Sequence, residues 1–112
     1  MKMIVAYVKP FKIDAVREAL VEAGVEGLTV TEVRGCGRQM GKAEFYRGAG
    51  YETALIPKIK VEAVVPATAL DGALAALRGA AATGQIGDGK VFVLDVVSAM
   101  RIRTSETGAA AL

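Results

Sequence analysis

The order of the apolar segments is the tightest constraint on this 112-residue chain. Residues 3–8 (Met-Ile-Val-Ala-Tyr-Val) form an apolar run ending at Lys9-Pro10, the pattern of a buried strand. Ile13, Val16, Leu20 and Ala23 then recur at steps of three and four, with Asp14, Arg17, Glu18 and Glu22 on the other side. That spacing predicts an amphipathic helix stopped near Gly24. Leu28 to Val33 is rich in β-branched residues and reads as a second strand. Residues 58–65 alternate and make a third strand ending at Pro66. Leu70, Leu74, Leu77 and Ala81 line a second helix, with Thr68 as its expected N-cap and Asp71 three residues on. Val91 to Val97 is a fourth strand. Strand–helix–strand, twice over, predicts a single α+β domain: a ferredoxin-like βαββαβ sandwich with both helices on one face of the sheet.

That architecture raises a physical problem. The strands at 3–8 and 91–94 are apolar on both faces, since Ile4, Ala6 and Val8 alternate with Met3, Val5 and Tyr7. A bare second face would expose an apolar patch that soluble monomers avoid. Burial against other copies of the chain is therefore expected, in an obligate oligomer hiding more than ~2,000 Å² in total. The pattern by itself does not set the number of copies.

Composition removes several classes of chemistry. Fourteen Lys plus Arg against twelve Asp plus Glu leave a net charge of +2, which excludes a polybasic nucleic-acid arm and an acidic disordered chain. There is no histidine, so imidazole catalysis and His-ligated metals are excluded. The single cysteine, Cys36, excludes an intrachain disulfide and a Cys-rich zinc site. With no histidine to activate it, Cys36 reads as a small buried filler. No apolar run approaches the ~18 residues of a membrane span. Nothing marks the chain for export, so a cytoplasmic protein with no direct membrane insertion is expected.

Three segments carry candidate chemistry. Gly84-Gln85-Ile86-Gly87-Asp88-Gly89-Lys90 satisfies G-x-x-x-x-G-K, but Val91 stands where a P-loop has Ser or Thr, and a strand follows instead of a helix. It is not a Walker A site. Its glycines still allow backbone N–H groups to converge on an anion, with Lys90 adding charge; the alternative is a helix C-cap followed by a tight turn. Arg101-Ile102-Arg103-Thr104, if extended, points both guanidiniums to one side about 6.5–7 Å apart, a pairing that suits a polyphosphate. The alternative is a solvated tail, expected to be mobile over about 105–112. From Arg38 to about Leu55 no period holds, and a loop this long is usually functional or disordered. It carries Tyr46-Arg47-Gly48-Ala49-Gly50-Tyr51, in which the tyrosines either anchor the loop or meet partners and modifying enzymes.

Together these segments resemble the PII nitrogen-regulatory signal proteins, from Met1 to about Thr107. Thr83 to Val93 matches the family's C-terminal signature, and Tyr46 to Tyr51 matches its loop signature except at Gly50, where Glu or Ala is usual. Lys9-Pro10-Phe11-Lys12, Gly37-Arg38-Gln39 and Arg101-Ile102-Arg103-Thr104 also match.

The resemblance implies a homotrimer with a long exposed loop between strands two and three, and three nucleotide sites between subunits where ATP and ADP compete. It places Gly87, Asp88, Gly89 and Lys90 on the phosphates, with Arg101 and Arg103 alongside. It places Thr29, Glu62 and Val64 around the base, and Gly35, Gly37 and Arg38 beside the nucleotide. Gln39 would help hold Mg2+ with ATP and 2-oxoglutarate. Lys58 would pair with the distal carboxylate of 2-oxoglutarate near Gly87. Tyr51 matches a tyrosine uridylylated in many members, whereas Ala49 replaces a serine phosphorylated in others. The implied partners are an ammonium channel, a uridylyltransferase, a glutamine synthetase adenylyltransferase and a nitrogen-sensing histidine kinase, with no nucleic acid.

Met40, Lys42, Gly50, Tyr7 and Ser105 depart from the family's usual residues. The competing readings are an ATP-consuming phosphotransferase and an RNA-binding domain of the same element order. The first lacks a Walker hydroxyl and a convincing acid pair. The second has only Phe92 where two or three stacking aromatics are needed.

Overall fold

The computed structural model describes residues 1–37 and 55–112. The loop expected over about 38–55 therefore lies outside the described residues, apart from Leu55. Four strands, β1 (Lys2–Val8), β2 (Thr29–Gly35), β3 (Ile56–Val65) and β4 (Lys90–Asp95), form one sheet in the order β2-β3-β1-β4. Every neighbouring pair is antiparallel. With helices α1 (Ile13–Glu22) and α2 (Leu70–Ala81), this is the ferredoxin-like α+β fold that the segment order implies.

A proline stands at the start of each helical segment, Pro10 as the first residue of a 3-10 turn and Pro66 just before one. Single 3-10 turns, Pro10–Lys12 and Ala67–Ala69, lead into α1 and α2. Lys12 N–H donates to Lys9 O, and Ala69 N–H donates to Pro66 O, each at 2.9 Å. This corrects the expected cap. Thr68 lies inside the 3-10 turn, Ala69 takes the N-cap position, and no side chain caps α2. At the other end of α1, Gly24 adopts φ +92°, which lets Val25 N–H return to Leu20 O at 3.0 Å.

The core lies between the helices and one sheet face. Ile4, Ala6 and Val8 of β1 and Ile59, Val61, Ala63 and Val65 of β3 alternate inward. They meet Val16 and Leu20 of α1 and Ala73, Leu77 and Ala81 of α2. Truncating a fully buried member such as Leu20 to Ala would cost about 2–5 kcal/mol.

Strand register then sets the other face. Directly paired residues point to the same side, so Thr29, Glu62, Val5 and Phe92 form one row and Thr31, Lys60, Tyr7 and Lys90 the next. Val64, Met3 and Leu94 form a third. The second face is thus apolar toward β1 and β4, as the double alternation predicts. β4 is exposed on both sides along its whole length, and Val97 and Ile102 beyond it are almost fully exposed.

The segment after β4 differs from expectation. Arg101–Thr104 is a turn, not an extended strand. Met100 and Thr107 form a bridge across it, Ser105 N–H donates to Arg101 O at 2.8 Å, and Arg101 N–H donates to Glu106 O at 2.8 Å. Ser105 sits at φ +61°, and the Thr104 hydroxyl donates to Glu106 Oε1 at 2.8 Å. These local bonds curl the backbone, so the two-residue spacing no longer aligns Arg101 with Arg103. A 3-10 turn, Gly108–Ala111, follows. Among the described residues no helix is long and apolar enough to cross a membrane.

Candidate ligand-binding cleft

One end of the sheet opens into a cleft of about 1,080 Å³. Tyr7 forms part of its floor. The end of β2 supplies Gly35 and leads to Cys36 and Gly37, β3 supplies Lys58 and Lys60, and the turn before β4 supplies Gln85 to Lys90. Phe92 stands edge-on to Tyr7, ring centres 6.3 Å apart.

The turn is built around one carboxylate. Asp88 accepts hydrogen bonds from Thr83 N–H at 2.7 Å, Gly84 N–H at 2.9 Å and the Thr83 hydroxyl. The Lys9 ammonium pairs with it at 3.1 Å. The Thr83 hydroxyl and amide, aided by Lys9 and Gly84, hold the Asp88 carboxyl well below the usual carboxylate range. Gly84, Gly87 and Gly89 all adopt positive φ, and at Gly89 space forbids a side chain as well. Gly87 lies at φ +94°, and a Cβ there would sit 3.5 Å from Lys58 Nζ. Gly89 lies at φ +105°, and a Cβ there would overlap Tyr7 O at 1.7 Å.

The turn leaves donors free. Among the described residues, the amides of Ile86 and Gly87 have no acceptor. Lys58 donates to Gly87 O from one side of the turn. Lys60 lies 3.8 Å from Glu62, and Lys90 makes no ion pair among the described residues. Unpartnered amides and three lysines facing one cleft are a setting for an anionic ligand. A divalent cation would find little protein support here. Among the described residues no group of three acidic or thiol side chains converges, and the Asp88 oxygens are already engaged.

Of the residues singled out in the sequence, Gly35, Gly37, Lys58, Gly87, Asp88, Gly89 and Lys90 line this cleft. Thr29, Glu62 and Val64 lie on the same sheet face but do not line it. Arg101 and Arg103 are in the curled segment past β4, where the Arg101 guanidinium donates to Leu112 O at 2.8 Å. Arg38, Gln39 and Tyr51 fall outside the described residues. Cys36 corrects an expectation: it is exposed at the cleft and not buried, because the chain leaves the sheet at Gly35. Lys9 and Thr83 gained no role from the sequence. The Thr83–Asp88 spacing around glycines is a local signal for a side-chain-closed turn. Nothing local points to Lys9, which arrives from the far end of β1.

A family model described as "Nitrogen regulatory protein P-II" matches residues 1–106. The chain belongs to that family. It is 56% identical over 108 residues to the nitrogen regulatory protein P-II of Mesorhizobium japonicum, covering 96% of each chain. It is 55% identical over 108 residues to that of Rhodobacter capsulatus, again 96% of each. It is 54% identical to nitrogen regulatory protein P-II 1 of Escherichia coli over 112 residues, the whole of both chains. P-II membership makes the protein a nitrogen signal-transduction regulator, and the P-II relatives carry the names of regulatory proteins.

Proposed function

We propose that the chain is a non-enzymatic sensor that binds ATP or ADP, and 2-oxoglutarate together with magnesium-ATP. The observation that carries this reading is the 84–89 turn, whose free amides stand beside Lys58 and Lys90 over a cleft that Gly35 and Gly37 also line. In the proposed site the turn and Lys90 hold the phosphates. Arg38, Arg101 and Arg103 add charge. Thr29, Glu62 and Val64 surround the base. These last three, with the two arginines of the curled segment, do not line the cleft of their own chain. A neighbouring copy would then complete it, and a homotrimer would cover the exposed faces of β4.

Lys58 is the cation for the distal carboxylate of 2-oxoglutarate, beside Gly87. Gln39 is the side chain that would hold magnesium, which would supply charge compensation between ATP and the 2-oxo acid. Binding of the acid is thereby linked to binding of ATP. Gln39 opens the segment between β2 and β3, so occupancy is read out there by partners. The partners expected are an ammonium channel, a uridylyltransferase acting on Tyr51, a glutamine synthetase adenylyltransferase and a nitrogen-sensing histidine kinase.

Calorimetry with 2-oxoglutarate, with and without magnesium-ATP, tests the linkage. Binding is expected only with the nucleotide, and equal binding without it would refute the mechanism. Light scattering should give three copies of the 11.6 kDa chain, and a stable monomer would remove the shared site.

A further inference from the structure

Asp88 presents a contradiction: a carboxylate sits in a turn that otherwise suits polyanions. Its hydrogen bonds resolve it. Oδ2 accepts from the Thr83 and Gly84 amides, and Oδ1 accepts from the Thr83 hydroxyl and pairs with Lys9. Four donors meet the roughly four lone-pair sites of a carboxylate. The Thr83 hydroxyl, in turn, accepts from Lys9 at 3.2 Å and from Gln85 N–H at 3.1 Å. The Lys9 and Asp88 side chains are only 18% and 25% exposed, so this pair is screened less than a surface pair. The aspartate is spent on the inside of its own turn, and its charge is offset there.

We propose that Lys9, Thr83 and Asp88 are positioning residues: they shape the 84–89 turn so that its free amides meet phosphate, and the Asp88 carboxylate touches no ligand. This rests on the nucleotide reading above. The three residues come from the end of β1, the end of α2 and the turn itself, so the network ties the turn to both layers of the fold. Lys9 acts through Asp88 rather than on the nucleotide.

The sign of one substitution separates the possibilities. If Asp88 acted only as a nearby negative charge, Asp88→Asn would tighten ATP binding. If it positions the turn, the Asn NH2 must face either the Thr83 and Gly84 amides or the Lys9 ammonium, donor against donor, and binding weakens. We expect the ATP dissociation constant to rise about 10–100-fold, the range seen when outer partners of metal ligands are removed. Adenosine, which has no phosphate, should change far less. Lys9→Met should act in the same direction, and Lys9→Arg should restore most of the affinity. Should Asp88→Asn fail to fold by circular dichroism, the two Lys9 variants carry the test. A wild-type chain that bound no ATP would overturn both readings. Wild-type binding with unchanged or tighter binding in Asp88→Asn, or in Lys9→Met, would overturn the positioning role alone. Equal losses for ATP and adenosine would overturn it too.

Discussion

The ammonium group of Lys58, on β3, donates a hydrogen bond to the carbonyl of Gly87, 29 positions later in the turn before β4. The contact places a cation at the rim of the cleft and fastens β3 to the turn across the strand between them. A lysine has three donors, so one bond to Gly87 leaves two for an incoming anion.

Lys58→Met should therefore weaken 2-oxoglutarate binding by about 1.5–3 kcal/mol, the value of a hydrogen bond to a charged group. ATP affinity should move much less. Paired titrations of the two ligands would show this, and equal losses would place Lys58 on the nucleotide instead.

Gly89→Ala should be among the most damaging small changes in the chain. The left-handed backbone alone costs about 1–3 kcal/mol for a side chain, and the new Cβ would collide with Tyr7 O. The comparison is Gly72→Ala in α2, where the added methyl meets nothing within 4 Å. There helix propensity predicts a gain of about 0.8–1 kcal/mol. Urea midpoints of the two variants should move in opposite directions.

Asp88 predicts an acid-sensitive turn. Its folded-state value lies below the ordinary 3.8, so the unfolded chain binds more protons near that pH and stability rises with pH there. The contribution is fully present above 3.8 and is lost as pH falls through the lower folded value. Asp95, lowered by its ion pair with Lys2, adds the same sign. In denaturation curves taken between about pH 2 and pH 5, Asp88→Asn should flatten the slope. An unchanged slope would mean that Asp88 is as free in the folded chain as in the unfolded one.

Ser105 carries a conformational cost. At φ +61° it occupies a region that disfavours L side chains by about 1–2 kcal/mol. Ser105→Gly removes that cost and gives back part of it as chain entropy, for a net gain of about 0.5–1 kcal/mol. Differential scanning calorimetry should show a higher Tm. A lower one would mean that the serine side chain makes an interaction worth more than the strain.

Local pattern made most of the fold legible. Two apolar periods and four short runs define six elements, and the helix-side residues of β1 and β3 follow from alternation alone. What escaped depends on bonds the pattern does not encode. Thr68 looks like a cap, but Pro66, two residues earlier, caps a 3-10 turn that takes Thr68 inside it. Arg101 and Arg103 read as a strand until Ser105 reverses the backbone. Glycine spacing exposed the 84–89 turn, yet the bonds that engage the Asp88 carboxylate inside it leave no mark in the sequence. Lys9 joins that network only because β1 delivers it there.

The pairing of β1 with β4 also has a consequence for biosynthesis. Residues 2–7 wait for residues 90–95 before the central strand gains its second neighbour and Gly89 can settle against Tyr7. Such long-range closure is slow compared with forming α1 or α2. A chain emerging from the ribosome carries the base of the cleft well before its rim, and the cleft is whole only when its distant ends have met.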